Sequence, residues 1–162
     1  MGKIRAPEPI TSAHDLSQFD CGVASLNDWL KKRALKNQDI YSATNVVCIN
    51  KQVIAYYTLA YGSVNHEEVT RKIRRNAPDK IPVMILCRLA VDKNWQTKGL
   101  GKHLLKQVFL KTIDASAIAG LRGLLVHAID ENAKAFYQHY GFLECPVDLA
   151  LLLPLEDIVG QL

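Results

Sequence analysis

Gln96-Thr97-Lys98-Gly99-Leu100-Gly101-Lys102 lies between an apolar run, Val83 to Val91, and an amphipathic run, Leu100 to Ile113. The order reads as a strand, a glycine-bearing turn and a helix. Such a turn aims backbone N–H groups at one point ahead of a helix N-terminus, where hydrogen bonding and the helix dipole both attract an anion. Gly99 and Gly101 carry no Cβ, so their backbone can take φ > 0 and approach a ligand closely, while Lys98 and Lys102 add countercharge. The turn therefore reads as a phosphate cradle, with pyrophosphate the guest it fits. A P-loop would need four residues between its glycines and a following Lys-Ser/Thr pair, and a dinucleotide fold would need G-x-G-x-x-G; neither pattern is present.

The 162 residues suit one domain with a core large enough to need no disulfide or metal. No apolar run approaches the roughly 18 residues of a membrane helix, and Met1-Gly2-Lys3-Ile4-Arg5 runs into prolines rather than a signal-type apolar core. A cytoplasmic location is expected. Cys21, Cys48, Cys87 and Cys145 are far apart, with no C-x-x-C pair and no His at ligand spacing, so they read as buried thiols and no metal is expected. The net charge of +4 comes wholly from the first half: residues 1–80 hold 12 basic and 8 acidic side chains, residues 81–162 hold 8 of each. It gathers in Lys31-Lys32-Arg33 with Lys36, and in Arg71-Lys72 with Arg74-Arg75. Two acid-free basic runs in a small domain make nucleic acid a candidate partner, against the plainer reading of solvated faces.

Taken in order, the prolines of Ala6-Pro7-Glu8-Pro9 hold the start extended. A first helix is expected from about Gly22 to Asn37, with Leu26, Trp29, Leu30 and Ala34 inward and Lys31, Lys32 and Lys36 outward. Thr44 to Ile49 and Val53 to Tyr61 form a hairpin of two central strands across Asn50-Lys51-Gln52. Asn65 to Lys80 reads as a long irregular connection. Pro82 to Val91 follows as a strand buried on both faces, with Arg88 its one charge; a structural ion pair and a place in an active cleft both remain open for that arginine. After the helix of Leu100 to Ile113, closed by Gly120-Leu121-Arg122-Gly123, comes a strand at Leu124 to Ala128. A helix from Glu131 to Tyr140 is capped by Asp130 and stopped by Gly141, and a last strand runs from Leu149 to Leu153. The alternation predicts a single α/β domain.

The spacing Gln96-x-x-Gly99-x-Gly101 after Arg88-Leu89-Ala90-Val91-Asp92 resembles the acetyl-CoA loop of the GCN5-related N-acetyltransferase (GNAT) family. Asn132-Ala133-Lys134-Ala135-Phe136-Tyr137-Gln138-His139-Tyr140-Gly141-Phe142 resembles that family's second signature, A-x-x-F-Y-x-x-x-G-F. Ala6-Pro7-Glu8-Pro9, Cys21-Gly22, Trp29-Leu30-Lys31, Leu35-Lys36-Asn37-Gln38, Arg74-Arg75-Asn76 and Ile81-Pro82 extend the likeness, over almost the whole chain, to the TacT/AtaT group of toxin acetyltransferases.

The resemblance implies one N-acetyltransferase domain over residues 1–162, with a mixed, mostly antiparallel sheet flanked by helices and splayed strands holding acetyl-CoA as co-substrate, without metal. It assigns acetyl-CoA to Leu89, Ala90, Val91, Gln96, Thr97, Lys98, Gly99, Leu100, Gly101, Lys102 and Asn132, and the general acid to Tyr137, with Tyr140 as a packing residue. It further implies acetylation of the α-amine of aminoacyl-tRNA, a ribbon-helix-helix antitoxin and a homodimer, with Lys31, Lys32, Lys36, Arg74, Arg75 and Arg88 as tRNA-binding candidates. Thr97 stands where the family often has Gly; because only its backbone need touch phosphate, cofactor binding should survive. No carboxylate base is legible beside Tyr137: Glu131 lies at i−6 on another face, and His139 is out of phase. That favours an amine already partly neutral, such as an α-amine with pKa ~7.7 to 8.0, over a lysine at ~10.4. The alternative acceptors are a protein N-terminus or a small amine, and a non-enzymatic RNA-binding domain is the third reading.

Overall fold

The β-branched and aromatic residues after Ser42 form the hairpin that the sequence predicts. In the computed structural model, which describes residues 2–162, β2 (Ala43–Ile49) and β3 (Gln52–Asn65) pair antiparallel from Ala43↔Leu59 to Ile49↔Gln52. Asn50 and Lys51 join them at φ 50° and 71°, the left-handed pair of a two-residue turn whose twist matches that of the strands. β1 (Glu8–Pro9) adds a two-residue edge to β2.

β4 (Lys80–Val91) runs parallel to β5 (Gly123–His127) through Met84↔Leu124, Ile85↔Leu125 and Leu86↔Val126. The helix between them, numbered α4 below, spans Leu100–Ile118, five residues beyond the expected end. It buries Leu104, Leu105, Val108 and Phe109 and exposes Lys102, Lys106 and Lys111, as its amphipathic spacing requires. β6 (Leu143–Glu144) and β7 (Ala150–Pro154) complete a seven-stranded mixed sheet in the order β1-β2-β3-β4-β5-β7-β6. A short helix, Leu155–Val159, follows where only a tail was expected.

Two units divide the chain: the chain up to Ala60 with Cys87–Val108, and Tyr61–Leu86 with Phe109–Leu162. In the first, Ile10, Phe19, Leu30, Ala34, Val46, Val53, Tyr56 and Ala90 form the core. In the second it is Val64, Val69, Ile73, Ile81, Val83, Leu125 and Leu152.

Three expectations are corrected. The first helix starts at Ala24, because Gly22 takes φ 89° and its N–H donates to the Asp20 carboxylate at 2.9 Å. It comprises α1 (Ala24–Trp29), a π-helical turn at Leu30–Ala34, and α2 (Leu35–Asn37). Leu26, Leu30 and Ala34 recur every four residues, and on a helix of 3.6 residues per turn each such step drifts by about 40°. A widened turn keeps the stripe inward, so Leu30 and Ala34 are fully buried while Lys31, Lys32, Arg33 and Lys36 stay exposed. Asn65 to Lys80 is not irregular: a capping box between Asn65 and Glu68 starts a 3-10 turn at His66–Glu68, and α3 (Arg71–Arg74) follows, anchored by buried Val69 and Ile73. β4 is not buried on both faces to its end, for Cys87, Arg88, Leu89 and Val91 are half-buried. Among the described residues, no helix is long and apolar enough to cross a membrane.

Candidate active site

The turn after β4 is pinned from below. Asp92 is buried, and its carboxylate accepts from the N–H groups of Asp20 (3.0 Å) and Asn94 (2.9 Å), while its own N–H donates to Ile54 O at 2.8 Å. Gln96 Nε2 donates to the carbonyls of Cys21 (3.0 Å) and Val91 (2.9 Å). The Gln96 side chain is thus a brace for the turn. Lys98 holds its ammonium 5.3 Å from the centre of the Trp95 ring.

Above this base the backbone turns left-handed at Thr97 (φ 66°) and Gly99 (φ 80°). Gly101 is helical instead, so the second positive φ belongs to a threonine and not to the second glycine. In α4 the N–H of His103 donates to Gly99 O, which leaves those of Leu100, Gly101 and Lys102 without a partner inside the helix. A Cβ at Gly99 would meet nothing within 4 Å, so the face is open. Unpaired N–H groups on an open, left-handed turn fit a pyrophosphate. A β-branched residue at φ 66° is strained by about 1–2 kcal/mol. Thr97→Gly should therefore raise stability by up to about 1 kcal/mol in urea unfolding, once the greater freedom of glycine in the unfolded chain is subtracted, and leave acetyl-CoA affinity unchanged.

The β4–β5 ladder stops at Leu86–Val126, whereas on its other edge the β4 chain still bonds toward β3 at Asp92. Leu89, Ala90 and Val91 therefore present an edge beyond the ladder, suited to an extended ligand lying as a further strand.

α5 (Glu131–His139) begins on Asp130, whose carboxylate accepts from Ala133 N at 2.8 Å, and ends at Gly141 with φ 94°, both as the sequence requires. Its buried residue is Tyr137, packed edge-on between Phe136 and Phe142 at 5.3 Å from each. The Tyr137 hydroxyl makes no hydrogen bond among the described residues, and burial pushes its pKa well up, so the phenol keeps its proton at neutral pH. Tyr140 packs on Phe136 at 5.1 Å, and Asn132 is exposed in the first turn of α5.

Of the basic candidates, Lys31, Lys32 and Lys36 are exposed and form no ion pair among the described residues. Arg74 and Arg75 line a cleft of 840 Å³ together with His66, Arg71 and Lys72, a lining without one acid. Arg74 spends one N–H on Val69 O at 3.1 Å, while Arg75 is exposed. Arg88 is half-buried and lies over Trp29, its guanidinium carbon 3.9 Å from the ring centre. The alternative of a structural ion pair is excluded among the described residues.

One cluster escaped the sequence because Cys48 lies 40 residues from Glu8. Glu8, His14 and Cys48 place ligand-type atoms within 4.8 Å of one another. His14 Nδ1 accepts from Thr11 N at 3.0 Å, so its proton sits on Nε2, which donates to Glu8 at 2.9 Å; the Cys48 thiol donates to the same carboxylate at 3.4 Å. These bonds lower the Glu8 pKa, and burial raises that of Cys48. A metal would have to displace both protons, so the cluster is satisfied as a hydrogen-bonded one. None of the four cysteines forms a disulfide among the described residues; Cys21 and Cys48 are buried, but Cys87 and Cys145 are only half-buried.

Comparison with known proteins matches residues 40–144 to the Acetyltransferase (GNAT) domain family. The chain is 43% identical over 159 residues to a tRNA-acetylating toxin of Mycobacterium tuberculosis, covering 97% of this chain and 96% of that protein. Its structure is similar to AtaT complexed with acetyl-methionyl-tRNAfMet, with TM-score 0.88 and 28% identity over 96% of this chain and 97% of the other. It is also similar to a Tyr-to-Phe mutant of AtaT bound to the C-terminus of the antitoxin AtaR and acetyl-CoA, with TM-score 0.80 and 30% identity over 94% of each chain. With a left-handed turn at the head of α4 and a family match over well more than half its length, this chain belongs to the GNAT acetyltransferase family.

Proposed function

We propose that this chain is an acetyl-CoA-dependent N-acetyltransferase toxin that acetylates the α-amine of aminoacyl-tRNA and thereby blocks translation, with residues 1–162 acting as one catalytic domain. The observation that carries the enzymatic reading is the turn itself: N–H groups of Leu100, Gly101 and Lys102 left without helical partners above left-handed Thr97 and Gly99. The 43% identity to a tRNA-acetylating toxin supports the substrate.

In this reading the turn and α4 hold the pyrophosphate, Leu89–Val91 offer backbone to the pantetheine arm, and Lys98 and Lys102 supply countercharge. The neutral α-amine attacks the thioester carbonyl carbon, the C–S bond breaks with its electron pair on sulfur, and the Tyr137 hydroxyl gives its proton to that thiolate. The surplus proton on nitrogen passes through water back to the Tyr137 oxygen, which restores the phenol. No covalent enzyme intermediate is needed. The cleft around Arg75, the outward face of Lys31, Lys32 and Lys36, and Arg88 receive the RNA. A small ribbon-helix-helix antitoxin neutralises the enzyme, which works as a homodimer in the cytoplasm beside its substrate.

The test is mass spectrometry of the tRNA-linked amino acids after incubation of charged tRNA with acetyl-CoA and enzyme. An N-acetyl group on the amino acid is the expected result; acetylation of a short peptide or small amine with charged tRNA untouched would move the assignment to the alternative acceptors. Because Arg74 also braces its own helix, Arg71→Ala with Arg75→Ala is the cleaner surface variant. Each lost phosphate contact should reduce the slope of log affinity against log salt by about 0.7 to 0.9, with acetyl-CoA binding intact. An unchanged slope in a binding titration would remove the cleft from the RNA surface.

A further inference from the structure

Arg88 is held by one face and open at its edges. Its guanidinium lies over Trp29, and Trp29 stacks nearly parallel on Tyr56, 12° between planes and 6.3 Å between centres. Tyr56 is fully buried, and its hydroxyl donates to Leu26 O at 2.7 Å, which pins the bottom of the stack. Trp29 is the last residue before the π-helical turn, and the buried Leu30 and Ala34 of that turn fix its backbone. π-helical turns recur at functional sites because they reposition a side chain that a regular helix would carry elsewhere.

Stacking satisfies the flat face of a guanidinium but none of its five N–H donors. No carboxylate, carbonyl or hydroxyl among the described residues accepts from Arg88. Donors withdrawn from water without a partner forfeit their hydration, so a partly buried guanidinium with no acceptor gains by binding an anion. A guanidinium with a fixed plane and a free edge is the geometry that takes an anionic oxygen pair bidentately. It stands next to Leu89–Val91, the open edge of β4.

In aminoacyl-tRNA the amino acid's carboxyl is esterified and carries no charge, so the nearest anion to the reacting amine is the phosphate of the terminal nucleotide. We propose that Arg88, oriented by Trp29, binds a phosphodiester of the single-stranded 3′ end of the acceptor and so fixes the amine for attack. This rests on the tRNA reading above. The contact differs in kind from those of Lys31, Lys32 and Lys36, which are exposed point charges that salt screens.

The experiment measures kcat and KM for charged tRNA, acetyl-CoA affinity by calorimetry and Tm, for wild type, Arg88→Lys and Arg88→Gln. Arg88→Lys keeps the charge and loses the plane, so the expected result is a rise in KM of about 10- to 100-fold, with salt slope, acetyl-CoA affinity and Tm near wild type. Arg88→Gln should be at least as impaired. Trp29→Leu should raise KM in the same way, while Trp29→Phe, which keeps an aromatic floor, should fall between; these variants decide the matter if Arg88→Gln does not fold. Wild-type KM in Arg88→Lys would overturn the bidentate contact, and loss of acetyl-CoA affinity in step with KM would place Arg88 on the donor instead. A wild type that leaves charged tRNA unmodified overturns the tRNA reading and this inference with it, whereas an active wild type with indifferent variants overturns the inference alone.

Discussion

Tyr137→Phe is expected to lower turnover by about 10²- to 10⁴-fold while acetyl-CoA affinity and Tm stay near wild type, the range for losing a positioned general acid. The separation of effects follows from the packing. The ring sits between Phe136 and Phe142, and a phenylalanine fills the same space. The hydroxyl has no partner among the described residues, so its removal orphans no buried donor or acceptor there. What is lost is one proton, which the phenol carries at neutral pH and which burial holds more tightly still. Single-turnover acetylation by the purified variant checks the chemistry, and growth on induced expression checks the toxicity that should vanish with it. Acetylation at the wild-type rate would make Tyr137 a core residue only.

Gly99→Asp is expected to abolish measurable acetyl-CoA binding in calorimetric titration. No atom lies within 4 Å of a Cβ at this position, so the defect is not a clash. It has a conformational part, for φ 80° is unfavourable to an L-residue by about 1 kcal/mol, and a larger electrostatic part, because the carboxylate occupies the helix-dipole site that phosphate needs. Gly99→Ala isolates the first part and should only weaken binding. Gly101→Glu sharpens the contrast: Gly101 is helical, so an acid in the first turn of α4 should stabilise the fold by about 0.3–1 kcal/mol while blocking the ligand. Stability and affinity moving in opposite directions would be hard to explain by misfolding. Affinity unchanged in a folded Gly99→Asp protein would show that the pyrophosphate binds elsewhere.

Several side chains with a place in the site reached it through contacts far apart in sequence. Gln96 stands in the motif of the cofactor loop, and its amide reaches Cys21, 75 residues away, so its side chain also serves as scaffold. Thr97 was expected to contribute only backbone; that backbone is left-handed, a state its β-branched side chain resists and only the surrounding loop can impose. Asn65 to Lys80 looked irregular because its helical pieces are shorter than any periodicity can report; two buried anchors, Val69 and Ile73, order it.

The sequence by itself determined what local patterns encode: the strand-turn-helix around Gln96–Lys102, the hairpin turning within Asn50-Lys51-Gln52, the Asp130 cap and Gly141 stop of α5, and the outward basic face of the first helix. Each depends on residues within one or two turns of one another, where sterics and hydrogen bonding leave few options. Only the tertiary structure decided which of the two turn glycines is left-handed, where the β4–β5 ladder ends, that the Tyr137 hydroxyl lacks a partner among the described residues, and that Trp29 lies beneath Arg88 59 residues later in the chain. Those are outcomes of packing between distant segments, where a side chain's role is set by what the fold brings against it and not by its neighbours in sequence.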